Sequence, residues 1–157
     1  MKIEDAENFL KNGKTLEEFV GKIDWKNFEK FVKEIFSVNG FNTFSNFRFK
    51  TERRFEIDVI AAKNNIVFLT DCKEWDKGRY KKSGLSKAAE EQIERTKEFK
   101  KFVRKNLIAK SRFKVGSNVK TVSLIVTWYD EDVSQFANCF VVPVWKLNSF
   151  LIGHDFY

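Results

Sequence analysis

The chain of 157 residues has very little proline, histidine or cysteine: one Pro, one His and two Cys. A single proline leaves no proline-rich linker, and the length is typical of one domain. The lone His154 excludes a zinc site built from several histidines. Cys72 and Cys139 allow one disulfide at most, and we expect free buried thiols, the commoner state in a reducing compartment.

Long apolar runs are also missing. No stretch approaches the roughly 20 apolar residues that a membrane-spanning helix requires. Residues 1–6 lack the apolar region of a secretion signal. We therefore expect a cytoplasmic protein with no membrane partner. The hydrophobic content of 43%, with 18 Phe, is ample for one folded core, so a disordered chain is excluded.

Acidic residues are absent from Phe99 to Tyr129, within a chain whose net charge is +7. The basic residues of that stretch are Lys100, Lys101, Arg104, Lys105, Lys110, Arg112, Lys114 and Lys120. A second basic run comprises Lys77, Arg79, Lys81, Lys82 and Lys87. Such asymmetry favours a polyanionic partner, most simply nucleic acid. The alternative is a solvated lysine-rich surface of the kind found in thermophilic proteins.

Hydrophobic periodicity predicts an α/β protein, a mixed α+β sandwich. The predicted strands are 41–50, 55–61, 66–73, 119–128 and 140–145; the predicted helices are one or two within 2–21, one from Trp25 that stops before Gly40, one from a Ser86 cap to about Asn106, and a short one within 146–152. This order indicates a central mixed β-sheet flanked by helices. We predict a helical extension at residues 1–22 and one domain at 23–157.

The second and third strands are joined by Lys63-Asn64-Asn65, a turn signal. A two-residue loop at Asn64-Asn65 pairs Lys63 with Ile66. That register places Asp58 opposite Asp71 and Glu56 opposite Lys73, with all four side chains on one face. Facing carboxylates with Cβ atoms about 5 Å apart repel each other, and a divalent cation between them removes the repulsion.

These residues form a candidate catalytic site. Asp58 and Asp71 supply hard oxygen ligands, which Mg²⁺ prefers, and Lys73 is a cation placed to act on an attacking water or on phosphate charge. Glu29 lies at the margin of the apolar stripe of its helix, and Gln92 near the centre of another. The plainer alternatives are an acid pair offset by a salt bridge to Lys73, a boundary glutamate, and a core amide satisfied by backbone.

Four segments resemble the motifs of the PD-(D/E)xK nuclease superfamily, most of all its Mrr-like restriction endonucleases, particularly archaeal members. The segments are Phe28–Phe41 around Glu29, Glu56–Ala61 around Asp58, Asp71–Lys73, and Glu90–Arg95 around Gln92. The similarity spans about residues 24–152. It implies a restriction endonuclease-like core and an endonuclease that hydrolyses DNA with Mg²⁺ or Mn²⁺.

By that resemblance Asp58 and Asp71 bind metal, Lys73 serves the nucleophilic water, and Glu29 and Gln92 support the site, Glu29 as a further metal residue. Two features depart from the usual pattern: no proline precedes Asp58, and position 71 holds Asp where Glu is common.

Basic and aromatic side chains flank these motifs, and we expect them to contact DNA phosphates and unpaired bases. They are Arg48, Lys50, Arg53, Arg54, Lys77, Arg79, Tyr80, Lys81 and Lys82. Two other functions stay open. One is a structure-specific enzyme such as a Holliday-junction resolvase. Such an enzyme requires a homodimer with two sites, and residues 2–21 could supply the contact between the two copies. The other is a catalytically inactive DNA-binding relative.

Overall fold

The computed structural model describes residues 25–73, 82–128 and 133–153, together with Asn12, Gly13 and Glu18. Apart from those three residues, the predicted N-terminal extension lies outside the described part of the chain, as does His154. The elements are α1 Trp25–Val38, β1 Asn42–Lys50, β2 Arg54–Lys63, β3 Ile66–Lys73, α2 Lys82–Lys105, α3 Leu107–Phe113, β4 Lys120–Thr127, β5 Ser134–Phe136, β6 Cys139–Pro143, a 3₁₀ turn Val144–Lys146 and α4 Leu147–Gly153. Across the described ranges, no helix is both long and apolar enough to span a membrane.

The strands form one mixed sheet in the order β1-β2-β3-β4-β6-β5. β1, β2 and β3 are antiparallel neighbours, β3, β4 and β6 run parallel, and β5 is antiparallel to β6. The predicted mixed sheet flanked by helices is confirmed, and the architecture is that of a restriction endonuclease-like core. Two short elements, α3 and β5, were not predicted, because segments of seven and three residues carry little periodic signal.

One face of the sheet is covered by α1 and α4. The apolar stripe of α1, including Phe28, Val32 and Phe36, is buried against Val59, Phe68 and other sheet residues. The predicted end of α1 at Gly40 is confirmed in its cap. Gly40 has φ +85°, its N–H donates to Ser37 O at 3.0 Å, and the Phe41 N–H donates to Phe36 O at 3.1 Å. This is a Schellman motif, which ends the helix and turns the chain into β1.

The other face is covered by α2 and α3, with Phe99 and Phe113 packed on the rings of Phe47 and Phe49. The prediction that Ser86 caps α2 is wrong, because the helix begins at Lys82 and contains Gly84. The first turn of α2, Lys82-Ser83-Gly84, contains no apolar residue, so the hydrophobic pattern begins only at the buried Leu85.

The β2–β3 hairpin has the predicted register, from Lys63 opposite Ile66 to Val59 opposite Thr70. Asn64 and Asn65 have φ of 49° and 63°, as a type I′ turn requires. The pairing of β3 with β2 ends at Val59. Between Arg54 and Ile57, β2 pairs only with β1. The β1–β2 hairpin therefore projects beyond β3 at the end of the sheet where β3 ends.

Regular pairing is interrupted at Asp58 on both sides of β2. The β1–β2 register omits Asp58 and Asn46, and Asn46 has φ 50°. Ile57 and Ile60 nevertheless enter the same core cluster, so the alternation of faces shifts between them. The prediction that Glu56 faces Lys73 is therefore wrong, and Glu56 lies opposite Arg48 instead.

Candidate active site

The structure brings Asp58 and Asp71 together where β2 and β3 separate. Asp58 Oδ2 accepts a hydrogen bond from the Cys72 backbone N–H at 2.9 Å, in the region where β2–β3 pairing has ended. The two carboxyl groups are close enough to hydrogen-bond when one of them is protonated. The carboxyl groups of Asp58 and Asp71 therefore lie close together, as predicted, although regular pairing of β2 with β3 has already ended.

Burial raises the pKa of Asp58 to about 7. The hydrogen bond from Cys72 opposes this shift by stabilising the carboxylate, while the charges of Asp71 and Glu29 add to it. Near neutral pH the pair therefore keeps a proton on Asp58 for a substantial part of the time. A cation bound between the two groups would replace that proton.

Lys73 lies beside the pair. Its Nζ is 3.0 Å from Asp71 Oδ2, with the two side chains 29% and 13% exposed. The contact is an ion pair without hydrogen-bond geometry, and Asp71 Oδ2 is a buried oxygen with no hydrogen-bond donor. The Lys73 carbonyl accepts from the Trp128 N–H at 3.2 Å, which fixes the end of β3 to the end of β4.

Glu29 is half-buried on α1 and is coupled electrostatically to the pair. Burial raises the pKa of Glu29, and the negative charges of Asp71 and Glu56 raise it further. The helix that carries it is held by Phe28, whose ring stacks on Trp128 at 5.4 Å. No group of three or more His, Cys, Asp or Glu side chains within the described ranges is placed to hold one ion. Direct ligation by Glu29 stays a prediction.

Gln92 is 1% exposed, and the hydrogen-bond partners of its side chain among the described residues are a backbone carbonyl and an arginine. Its Nε2 donates to Leu69 O at 2.7 Å, two residues before Asp71, and its Oε1 accepts from Arg95 at 3.1 Å. Of the two interpretations of this glutamine, the core amide satisfied by backbone is the one the geometry supports. Gln92 thus braces β3 from α2.

Three groups around the site escaped the sequence prediction: Arg95, Trp128 and the backbone N–H of Cys72. Arg95 could have been found from its spacing of three residues after Gln92 on a helix. Trp128 is the last residue of the predicted strand 119–128. The role of the Cys72 N–H could not be predicted, because this backbone group is available to Asp58 only where β2 and β3 stop pairing, and the sequence does not show that point.

Both cysteines are free and buried, as expected. Burial raises the pKa of Cys72 well above its usual value, with the charges of Asp58 and Asp71 adding to the effect. Burial, followed by the charge of Asp71, raises the pKa of Cys139 to about 12. Burial therefore favours the neutral form of both thiols, the form that is a poor nucleophile and a poor metal ligand.

The predicted DNA-contacting residues fall into two groups. Arg48, Lys50 and Arg54 lie on one face of the β1–β2 hairpin and, with Glu56, line a surface depression of about 680 Å³. Arg48 Nε is 3.0 Å from Glu56 Oε2 in an exposed ion pair.

In the turn between the strands of this hairpin, Arg53 pairs with Glu94 at 3.2 Å and lies 4.2 Å above the Phe55 ring. The second group, Lys77, Arg79, Tyr80 and Lys81, lies outside the described residues. Lys82 is the first residue of α2.

Comparison with known proteins agrees with this core. A family model described as a nuclease-related domain matches residues 24–128. The chain therefore belongs to the nuclease-related domain family, which has the restriction endonuclease-like fold. An uncharacterized protein of Archaeoglobus fulgidus is 31% identical over 134 residues, covering 85% of this chain and 93% of that relative. The matched range 24–128 contains the positions of Glu29, Asp58, Asp71, Lys73 and Gln92.

Proposed function

We propose that this protein is a Mg²⁺-dependent deoxyribonuclease, an endonuclease that hydrolyses DNA phosphodiester bonds, with Mn²⁺ as an alternative ion. Within its family we place it with the Mrr-like, PD-(D/E)xK type found in archaea. One observation carries the proposal: the Asp58 and Asp71 carboxyl groups lie together at the end of β3 with the Lys73 ammonium beside them.

The residues present fit a hard divalent cation. Asp71 Oδ2 is buried without a hydrogen-bond donor, and Asp58 takes up a proton near neutrality. Mg²⁺ binds through one or two carboxylates and keeps several waters, so Asp58 and Asp71 would hold it, and Glu29 would act through water. When bound, the ion would neutralise charge that develops on the phosphate and lower the pKa of the attacking water.

The remaining residues bind and orient the substrate. Lys73 would hold the attacking water or stabilise negative charge on the phosphate oxygens. The Cys72 N–H fixes the orientation of Asp58, and Gln92 holds the strand that carries Asp71. Arg48, Lys50 and Arg54 are placed to bind phosphates that flank the scissile bond. We place this activity in the cytoplasm, where both thiols would stay reduced and DNA is present.

Cleavage of supercoiled plasmid and of a four-way DNA junction in Mg²⁺ tests the proposal. Asp58→Asn and Lys73→Met should each reduce the cleavage rate by roughly 100-fold or more, the scale of losing one electrostatic catalytic group. Glu90→Gln and Lys97→Met, which alter exposed residues of α2, serve as matched controls and should cut normally.

The substrates separate the alternatives. Preferential cleavage of the junction by a sedimentation-verified dimer would favour a resolvase. DNA binding without cleavage by the wild type, in either ion, would favour an inactive relative. Full cleavage by both Asp58→Asn and Lys73→Met would show that the active site lies elsewhere.

A further inference from the structure

Two threonine hydroxyls in the sheet, those of Thr70 and Thr127, are buried and make no hydrogen bond with the described residues. Both side chains have 0% exposure. A buried hydroxyl without a partner destabilises the folded state, so its presence calls for an explanation. The two differ in which face of the sheet they occupy.

Thr127 is the last residue of β4 and lies beside Lys73 in the parallel pairing of β3 and β4. Asp71 lies beside Ile125 in the same register, so all four side chains share one face of the sheet. Thr70 points to the opposite face, because neighbouring residues of a strand alternate and Thr70 lies next to Asp71. It shares its face with Phe68, two residues earlier, which packs against α1. Only Thr127 is therefore a neighbour of the Lys73 side chain.

We propose that Thr127 is a positioning residue that receives the Lys73 ammonium when a divalent cation occupies the Asp58–Asp71 pair. This inference rests on the proposed function. Lys73 Nζ lies 3.0 Å from Asp71 Oδ2, so a divalent cation bound at that oxygen would repel the ammonium. On cation binding, the Lys73 ammonium donates to Thr127 Oγ1 instead.

This exchange explains why an unpartnered hydroxyl is kept in the sheet. The Thr127 hydroxyl accepts no hydrogen bond while Lys73 pairs with Asp71, and it accepts one from Lys73 once the cation is bound. It keeps the ammonium at the end of β3, beside the reacting phosphate, and prevents it from competing with the ion for Asp71. Thr127 should therefore affect cation affinity as well as turnover.

Calorimetric titration with Mg²⁺ in the absence of DNA tests this role in the full chain. Thr127→Val should weaken Mg²⁺ binding by roughly tenfold, the value of one charge-assisted hydrogen bond. Thr127→Ala, as a second variant without the hydroxyl, should show the same loss, and Thr127→Ser should restore wild-type affinity. Thr70→Val removes an equally buried hydroxyl from the opposite face and should bind Mg²⁺ within twofold of wild type.

Wild-type affinity in Thr127→Val and Thr127→Ala would overturn the inference, as would an equal loss in Thr70→Val. These outcomes leave the proposed function intact, because the wild type still binds the ion. Failure of the proposed function would appear differently, as a wild type that neither binds Mg²⁺ nor cuts DNA, or as unchanged Mg²⁺ binding in Asp58→Asn.

Discussion

Asp58 occupies a position where a negative charge is costly, since it is partly buried and faces Asp71. The backbone accommodates it through the break in pairing at Asp58, which frees the Cys72 N–H to donate to the carboxylate. A single N–H offsets only part of the cost, because burial and neighbouring charge still raise the pKa of Asp58 to about 7. Charge repulsion of this kind is typical of sites that bind cations.

The first prediction concerns stability and pH at Asp58. Its pKa is raised from 3.8 to about 7, so between these values the folded state binds more protons than the unfolded state. The stability that this residue contributes is therefore greatest below about pH 4 and is lost as the pH rises through 7. Without divalent ions, Asp58→Asn should raise the free energy of unfolding at pH 8 by about 1–2 kcal/mol after allowing for solvent screening.

Thermal unfolding at pH 4 and pH 8 measures this effect. The melting temperature of Asp58→Asn should exceed that of the wild type by about 2–6 °C at pH 8, with little difference at pH 4. Glu90→Gln is the control, and its melting temperature should match the wild type at both values. If Asp58→Asn were less stable than the wild type at pH 8, the ionised Asp58 carboxylate would not be destabilising the folded state.

At the scale of elements, α2 and β3 act together to place Asp71. α2 crosses behind β3, and Gln92 reaches the carbonyl of Leu69 while Arg95 restrains the amide. Thr96 extends the contact, since its Oγ1 donates to Gln92 O at 2.8 Å and accepts from Ser123 Oγ at 2.7 Å. This buried polar network connects α2 to both β3 and β4.

The second prediction tests that network. Gln92→Ala should reduce the free energy of unfolding by roughly 1–3 kcal/mol, because it removes one buried and one partly buried hydrogen bond and leaves Arg95 without its partner. Urea denaturation gives the value, with Glu91→Ala on the exposed side of α2 as the control at under about 0.5 kcal/mol. Equal stability of Gln92→Ala and the wild type would mean that the amide does not brace β3.

The sequence was informative about the helix–sheet order because the strands are dense in Val, Ile and Phe and the turns carry Asn or Gly. Register was predictable from Asn64-Asn65, since a two-residue turn permits one pairing. The face shift at Asp58 was not predictable, because it depends on Asn46 adopting a positive φ in the neighbouring strand. For the same reason Glu56 was assigned to Lys73 rather than to Arg48.

For the site, Asp58, Asp71 and Lys73 could be grouped from one hairpin, since Asp58 lies one residue beyond the last β2–β3 pair, Val59 and Thr70, and its carboxyl group still reaches the end of β3. Gln92 was recognised as an inward amide, but its partner Leu69 O depends on how α2 crosses the sheet. Thr127 gave no signal, because its significance comes from the parallel pairing of two strands that are separated by α2 and α3.

At the scale of the whole molecule, the basic hairpin face and the carboxylate pair lie at the same end of the sheet, since the hairpin extends past the point where β3 leaves β2. The basic segment from Lys100 to Lys120 begins beside the hairpin turn, where Lys101 and Lys105 line a depression with Lys50, and it ends at the opposite end of the sheet with Lys120, where β4 begins. DNA positioned for cleavage would therefore contact Arg48, Lys50 and Arg54 first.

The third prediction measures this contact through its dependence on salt. Each lost phosphate contact lowers the slope of log affinity against log salt concentration by about 0.9. The triple variant Arg48→Gln, Lys50→Gln, Arg54→Gln should thus lose a slope of about 2–3 in fluorescence anisotropy with duplex DNA. Lys120→Gln, at the far end of β4, should leave the slope unchanged, and a larger effect there would place the DNA on another surface.

The most direct test of the central claim is a calorimetric titration of the full chain with Mn²⁺ at pH 8. We predict that the wild type binds the ion at the carboxylate pair, that Asp58→Asn and Asp71→Asn each weaken binding at least tenfold, and that Glu90→Gln binds as the wild type does. Unchanged Mn²⁺ binding in both aspartate variants would contradict the assignment of this pair as the metal site.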